Sequence, residues 1–153
     1  MNIAVIGMGE MGFTFSQNIR NAEVYTFISK NRSSETRKRV KQSNIRMTSS
    51  FSELIKKSDI IFSILPCEKA LSVAKRLSQE KIEKKKFFID CNPLSSLKIK
   101  KLNSYFKLTK FNLVDASIIG PPPKKGYTSL YISGPNTKKI EGLSITNVKI
   151  KRL

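Results

Sequence analysis

The residues whose types and spacing could do chemistry are concentrated near the start of the chain, in Gly7-Met8-Gly9-Glu10-Met11-Gly12. In a Gly-x-Gly-x-x-Gly turn the first glycine permits a tight bend. The second lets the main chain approach a ligand, and the third lets the next helix pack closely on the strand. The setting strengthens the pattern. Asn2 to Ile6 is a nearly continuous apolar run, as a buried parallel strand requires, and Glu10 to Ile19 repeats Met11, Phe15 and Ile19 along one helical face. A helix starting at the turn offers free N–H groups and the positive end of its dipole to phosphate oxygens. Gly7, Met8, Gly9, Glu10, Met11 and Gly12 are therefore the candidate contacts of a dinucleotide pyrophosphate.

The end of the second strand reports on the ribose. An acidic residue there takes the ribose hydroxyls of NAD, whereas cations and hydroxyls accommodate a 2′-phosphate. The segment Thr26-Phe27-Ile28-Ser29-Lys30-Asn31-Arg32-Ser33 carries no carboxylate. Ser29, Lys30, Asn31 and Arg32 are the candidate ribose-side contacts, and they favour NADP over NAD. Other chemistries are restricted by what is missing. There is no histidine, so neither imidazole acid–base catalysis nor a His-containing zinc site can be built. Cys67 and Cys91 lack metal spacing, and a disulfide framework is not expected in a cytosolic domain of this size. Both directly follow apolar strands, which places them at the rim of the cofactor crevice, where nearby lysines would favour the thiolate.

The elements that must position these residues alternate strand and helix almost without interruption. After the first strand and helix come a strand over Glu23 to Ile28, a helix capped by Ser33 or Ser34 and running to about Gln42, and a short strand over Ile45 to Met47. A small helix starts at Ser50 or Ser52 with Phe51, Leu54 and Ile55 inward. Asp59 to Leu65 is the clearest buried strand, ended by Pro66, and a helix follows over Ala70 to Leu77. Lys86 to Asp90 is a strand, Ser95 caps a helix over Leu97 to about Phe106, and Asn112 to Ser117 is a sixth strand. Gly120-Pro121-Pro122-Pro123 can be neither helix nor central strand. Ser129 to Ser133 and Val148 to Ile150 complete the set. This is an α/β pattern, a Rossmann-type doubly wound and mainly parallel sheet in a single three-layer domain over 1–153.

Composition is consistent with that architecture. A hydrophobic content of 39% in 153 residues supports one folded domain with a real core. No apolar run approaches the roughly 20 residues that span a bilayer. Met1 leads almost directly into a strand and a glycine turn, leaving no signal-like segment, so a cytoplasmic location without membrane contact is expected. The formal charge of +18 suits anionic partners. The lysines are scattered, however, and many fall on the wet face of a helix, as in Leu97-Lys98-Ile99-Lys100-Lys101-Leu102. A solvated lysine-rich surface is the expected reading, and nucleic acid is not an expected partner.

Several segments together resemble the N-terminal domain of the 6-phosphogluconate dehydrogenase and β-hydroxyacid dehydrogenase superfamily. Ile3 to Gly12 is similar to its opening, Ser58 to Pro66 to its fourth strand and the loop over the cofactor, and Phe88-Ile89-Asp90-Cys91-Asn92-Pro93-Leu94-Ser95 to its fifth-strand motif. Val114 to Pro123 is similar to its substrate-facing loop. The Ile-Ile-Gly-Pro-Pro-Pro form, followed by Leu130 to Pro135, resembles a branch with a phosphogluconate-dehydrogenase-like C-terminal domain. The resemblance implies an NADP-dependent, or NAD-dependent, oxidoreductase acting on a small hydroxyacid. It adds Leu65, Pro66 and Asn92 to the cofactor contacts and puts Asn92 and Gly120 on the substrate side. The chain departs from the family in having Asp90-Cys91-Asn92-Pro93 for Asp-x-Ser-Thr and Ile119-Gly120-Pro121 for Ser-Gly-Gly. Members continue into a helical domain that carries the catalytic lysine and the dimer contacts. That domain is expected to be absent here, so no lysine is carried over, and a homo-oligomer or a helical partner subunit is expected to complete the protein. The alternative is a non-catalytic dinucleotide-binding or sensing module that uses its basic surface on nucleic acid.

Overall fold

The computed structural model describes residues 1–124 and 126–153. Its elements run β1 (Asn2–Ile6), α1 (Glu10–Asn18), β2 (Glu23–Thr26), α2 (Ser34–Lys41), β3 (Arg46–Met47), α3 (Phe51–Lys57) and β4 (Ile60–Ser63). They continue through α4 (Cys67–Ser78), β5 (Lys86–Asp90), α5 (Ser96–Phe106), β6 (Phe111–Ile119), β7 (Thr128–Ser133), α6 (Lys138–Glu141) and β8 (Val148–Arg152). One sheet orders the strands β3-β2-β1-β4-β5-β6-β7-β8. The first six are parallel, β7 turns back antiparallel to β6, and β8 runs parallel to β7. The order reverses between β1 and β4, and a crevice opens there at the carboxyl ends of the strands.

Side-chain alternation along each strand builds the two apolar layers. Ile3 and Val5 of β1 join Phe62, Ile89, Val114 and Ile132 beneath α1, with Phe15 and Ile19, and beneath α6, with Ile140. Ala4 and Ile6 face the other way with Ile61 and Phe88, against Leu54 of α3, Leu77 of α4 and Leu102 of α5. Both faces are covered as far as β5, which is why these strands read as unbroken apolar runs.

The helix starts follow from local hydrogen bonding. Ser33 Oγ accepts from the Thr36 amide and Ser50 Oγ from the Glu53 amide, each satisfying a free donor of the first turn. Ser95 occupies the cap position of α5, but its hydroxyl makes no capping bond. Several strand limits differ from the sequence expectation by one or two residues, and three of the differences follow from a partner. β2 ends at Thr26 rather than Ile28, since its neighbour β3 has only two residues. β4 ends at Ser63 rather than Leu65, because the Leu65 amide donates to a side chain instead of a strand. β6 extends to Ile119 because the turn at Gly120 pairs Ile119 with Ser129 of β7. The single turn α6 has no counterpart in the expected elements.

Cations outnumber acids 29 to 11, and aromatic rings take up part of the excess. Four ion pairs occur among the described residues, against seven guanidinium or ammonium groups that lie over aromatic rings. No helix among the described residues is long and apolar enough to cross a membrane.

Candidate functional site

The glycine turn bends where a side chain is forbidden. Gly7 has φ 104°, and a Cβ there would strike the Ile64 carbonyl of the neighbouring strand end. A Cβ on Gly12 would strike the Gly7 carbonyl, so α1 can lie this close to β1 only with glycine. Gly9 differs: a Cβ there meets nothing within 4 Å. Gly9 is also the cap residue of α1 and brings no side-chain acceptor, so the first-turn N–H groups stay available. From behind, Arg39 of α2 donates to the Met8 carbonyl at 2.6 Å while its guanidinium lies 4.5 Å from the Phe13 ring centroid, which fixes the turn from its far side.

In front of the turn lies a cavity of about 460 Å³. Gly7, Met8 and Gly9 form one wall, Phe27, Ile28, Ser29 and Arg32 line the end beyond β2, and Leu65 and Pro66 close it beyond β4. Ile6, Ile64, Phe51 of α3 and a stripe of α4, Lys69, Val73 and Arg76, supply the rest. No lining residue is acidic. The residues fit a dinucleotide on two grounds: open space beside the Gly9 main chain and a set of cations, Arg32, Lys69 and Arg76, that make no ion pair among the described residues.

The expected residues divide. Gly7, Met8, Gly9, Ser29, Arg32, Leu65 and Pro66 meet in this cavity. Gly12 acts on packing, and Met11, half-buried, does not line the cavity. Glu10 is exposed, and its carboxylate pairs with Lys124 at 2.8 Å, which holds its pKa below the usual range. Lys30 and Asn31 are exposed on the same loop as Arg32 and do not line the cavity. Asn92 is buried behind the wall rather than facing a ligand. Its Oδ1 accepts from the Leu65 amide at 2.7 Å, and its Nδ2 donates to Ser63 Oγ and to Asp90 Oδ1, at 3.0 and 2.7 Å. Gly120 has φ 125° at the exposed turn between β6 and β7, outside the cavity. Phe51, Lys69, Val73 and Arg76 were missed. Positions 66, 69, 73 and 76 carry the 3,4,3 spacing of one helical face, and that spacing was the available signal.

The cysteines also divide. Cys67 opens α4, is half-buried, and donates from Sγ to the Pro93 carbonyl at 3.3 Å. Cys91 follows β5 as expected, but its side chain enters the apolar core with Ile89. Burial, and then the nearby Asp90 and Asp115, push its thiol well up from its ordinary value, so the expected thiolate reactivity does not apply to it.

Comparison with known proteins agrees with this geometry. The family model for the NAD-binding domain of 6-phosphogluconate dehydrogenase matches residues 2–141. An uncharacterized 28.5 kDa protein of Methanothermus fervidus is 34% identical over 152 residues, which are 99% of this chain and 57% of that protein. Solved structures share the fold over 99% of this chain, two of them as follows. One is a conserved protein of unknown function described as similar to 3-hydroxyacid dehydrogenases, with TM-score 0.81, 22% identity and 57% of its length covered. The other is 3-hydroxyisobutyrate dehydrogenase of Mycobacterium tuberculosis with L-serine, with TM-score 0.79, 16% identity and 53% covered. The chain thus spans little more than half the length of these relatives. With a glycine turn at the switch point of a 3-2-1-4-5-6 parallel core and a family match over nearly its whole length, this chain belongs to the family of NAD-binding domains of 6-phosphogluconate dehydrogenase.

Proposed function

We propose that the chain is the NADP(H)-binding half of an oxidoreductase that moves hydride between nicotinamide and a small hydroxyacid. One observation carries the reading: the glycine-turn cavity is faced, at the end of β2, by Ser29 and Arg32 and by no carboxylate. The bound nicotinamide supplies the hydride chemistry, and the chain supplies position and electrostatic field. The open edge of Gly9 and the first-turn N–H groups of α1 suit a pyrophosphate. A hydroxyl and a guanidinium beyond β2 suit a 2′-phosphate, where an acid would repel it. In a fluorescence titration the native chain should bind NADPH more tightly than NADH. Arg32→Ala should weaken NADPH roughly 10- to 100-fold, the worth of a charge-assisted phosphate contact, and barely change NADH. Equal or tighter NADH binding by the native chain overturns the NADP preference.

Hydride transfer also needs groups that face the substrate. Asn92 is buried and Gly120 lies outside the cavity, so this chain offers few of them. In this reading they come from a helical half, on the same protein or on a partner subunit. A surface for it is at hand, where exposed Ile119 and Leu153 flank a depression of about 230 Å³ and exposed Tyr127 lies just before β7. Apolar groups clustered in this way mark an interaction site or self-association. The purified 153-residue chain should show no detectable NADP⁺-dependent turnover of 3-hydroxyacids, and robust turnover by it alone overturns the need for a second half.

A further inference from the structure

Helix α4 carries a row of residues along the cavity that no motif assigns. Pro66, Lys69, Val73 and Arg76 lie on one face. At about 1.5 Å per residue, Lys69 sits about one turn from Pro66, while Arg76 lies roughly 15 Å along the axis from it. The Pro66 end adjoins Leu65 and the glycine turn, where a pyrophosphate belongs. The Arg76 end is tied to the β2 side by a stack. The Arg76 guanidinium lies 4.5 Å from the Phe51 ring centroid, and Phe51 meets Phe27, on the loop after β2, edge-on at 6.3 Å. Phe51 is 4% exposed, so the platform beneath the guanidinium is fixed.

Charge decides what this end recognises. An arginine that lies on a ring uses its flat face there and keeps its N–H edge for an oxyanion. Among the described residues Arg76 has no ion pair and no side-chain hydrogen bond. Together with Arg32 it gives two cations at the end remote from the pyrophosphate. There NAD presents only adenine and neutral ribose hydroxyls, whereas NADP presents a phosphate of about −1.5 to −2 charge.

We infer that Arg76 is a specificity-determining residue, held on Phe51 so that it meets the 2′-phosphate from the α4 side, opposite Arg32. This rests on the reading of the cavity as an NADP(H) site. The test is binding, not turnover: isothermal titration of the native chain, Arg76→Ala and Arg76→Lys with NADPH, NADH, adenosine 2′,5′-bisphosphate and 5′-AMP. Arg76 is on the surface, so the alanine variant keeps the fold. Arg76→Ala should weaken NADPH and the bisphosphate roughly 10- to 100-fold and change NADH and 5′-AMP less than about 2-fold, with Arg76→Lys in between. Lys69→Ala, near the pyrophosphate end, should weaken both dinucleotides equally and serves as the control. If the native chain prefers NADH, the reading of the cavity falls. If it prefers NADPH and Arg76→Ala leaves that preference unchanged, or weakens all four probes equally, the role of Arg76 alone falls.

Discussion

Gly9→Ala is expected to leave the fold about as stable as before and to remove most dinucleotide affinity. Gly9 has φ −63° and ψ −176°, a conformation open to any residue, and its Cβ direction is empty to 4 Å. A methyl there meets no atom and narrows the unfolded ensemble, worth about 0.4–1 kcal/mol, which offsets the poorer fit of alanine at the cap position of α1. The same methyl projects into the space a pyrophosphate must enter to reach the N–H groups at the start of α1. NADPH binding should fall roughly 10- to 100-fold, or about 1.4–2.8 kcal/mol.

Gly12→Ala should show the opposite pattern, with stability as the primary loss. Its Cβ collides with the Gly7 carbonyl, a main-chain atom that cannot swing aside, so α1 must move off β1 and away from the packing of Phe15 on Phe62. Forcing atoms into a filled contact costs about 1–3 kcal/mol or more, which lowers the unfolding midpoint by roughly 3–10 °C in a chain of this size. Thermal melts and NADPH titrations on both variants test the pair. If Gly9→Ala binds NADPH like the native chain, the pyrophosphate does not approach that edge. If both variants melt alike, the division of labour between the two glycines is wrong.

That division was legible in the sequence because the spacing of the three glycines carries it, but the geometry that enforces it was not. The striking atoms belong to Ile64 and Gly7, and Ile64 reaches the turn only because β4 pairs with β1 across a gap of more than fifty residues. The alternation of strands and helices could be read directly, since doubly covered strands are apolar without interruption. The reversal at β7 could not, because antiparallel and parallel strands share the same period. Asn92 shows a related limit. Its position after the fifth strand was readable, yet its inward turn depends on Ser63 and Asp90 being side by side in register. The burial of Cys91, by contrast, follows from sequence position alone. Cys91 stands two residues beyond buried Ile89, so strand alternation alone assigns it to the core. The cations of α4 went unread because lysine and arginine on a helix of a +18 protein are the background, and only the Phe51 ring distinguishes Arg76.

Asp90→Asn should gain stability on the native chain as pH rises, and the reason lies in the same buried cluster that shapes the cavity wall. Asp90 is fully buried; Oδ1 accepts from Asn92, and among the described residues Oδ2 has no partner. Burial lifts its carboxyl from 3.8 to about 6, the Asn92 hydrogen bond opposes the rise, and Asp115, its register partner on β6, adds to it. The adjacent Cys91 thiol is itself held up by burial and stays neutral, so it brings no charge. A raised folded pKa means that the folded chain holds this proton more tightly than the unfolded chain. The contribution of Asp90 is therefore full below about pH 4 and is lost as pH rises through about 6, a change of about 3 kcal/mol at most. The amide of the variant keeps a carbonyl for Asn92 and cannot ionise. Any difference in its hydrogen bonding shifts stability equally at every pH and leaves the slope untouched. Urea unfolding of both proteins from pH 4 to pH 8 should thus show the variant gaining on the native chain, most steeply between about pH 4 and 6, then running parallel to it. A difference that stays constant across the range would mean that Asp90 titrates as an ordinary carboxyl and that its burial is relieved in solution.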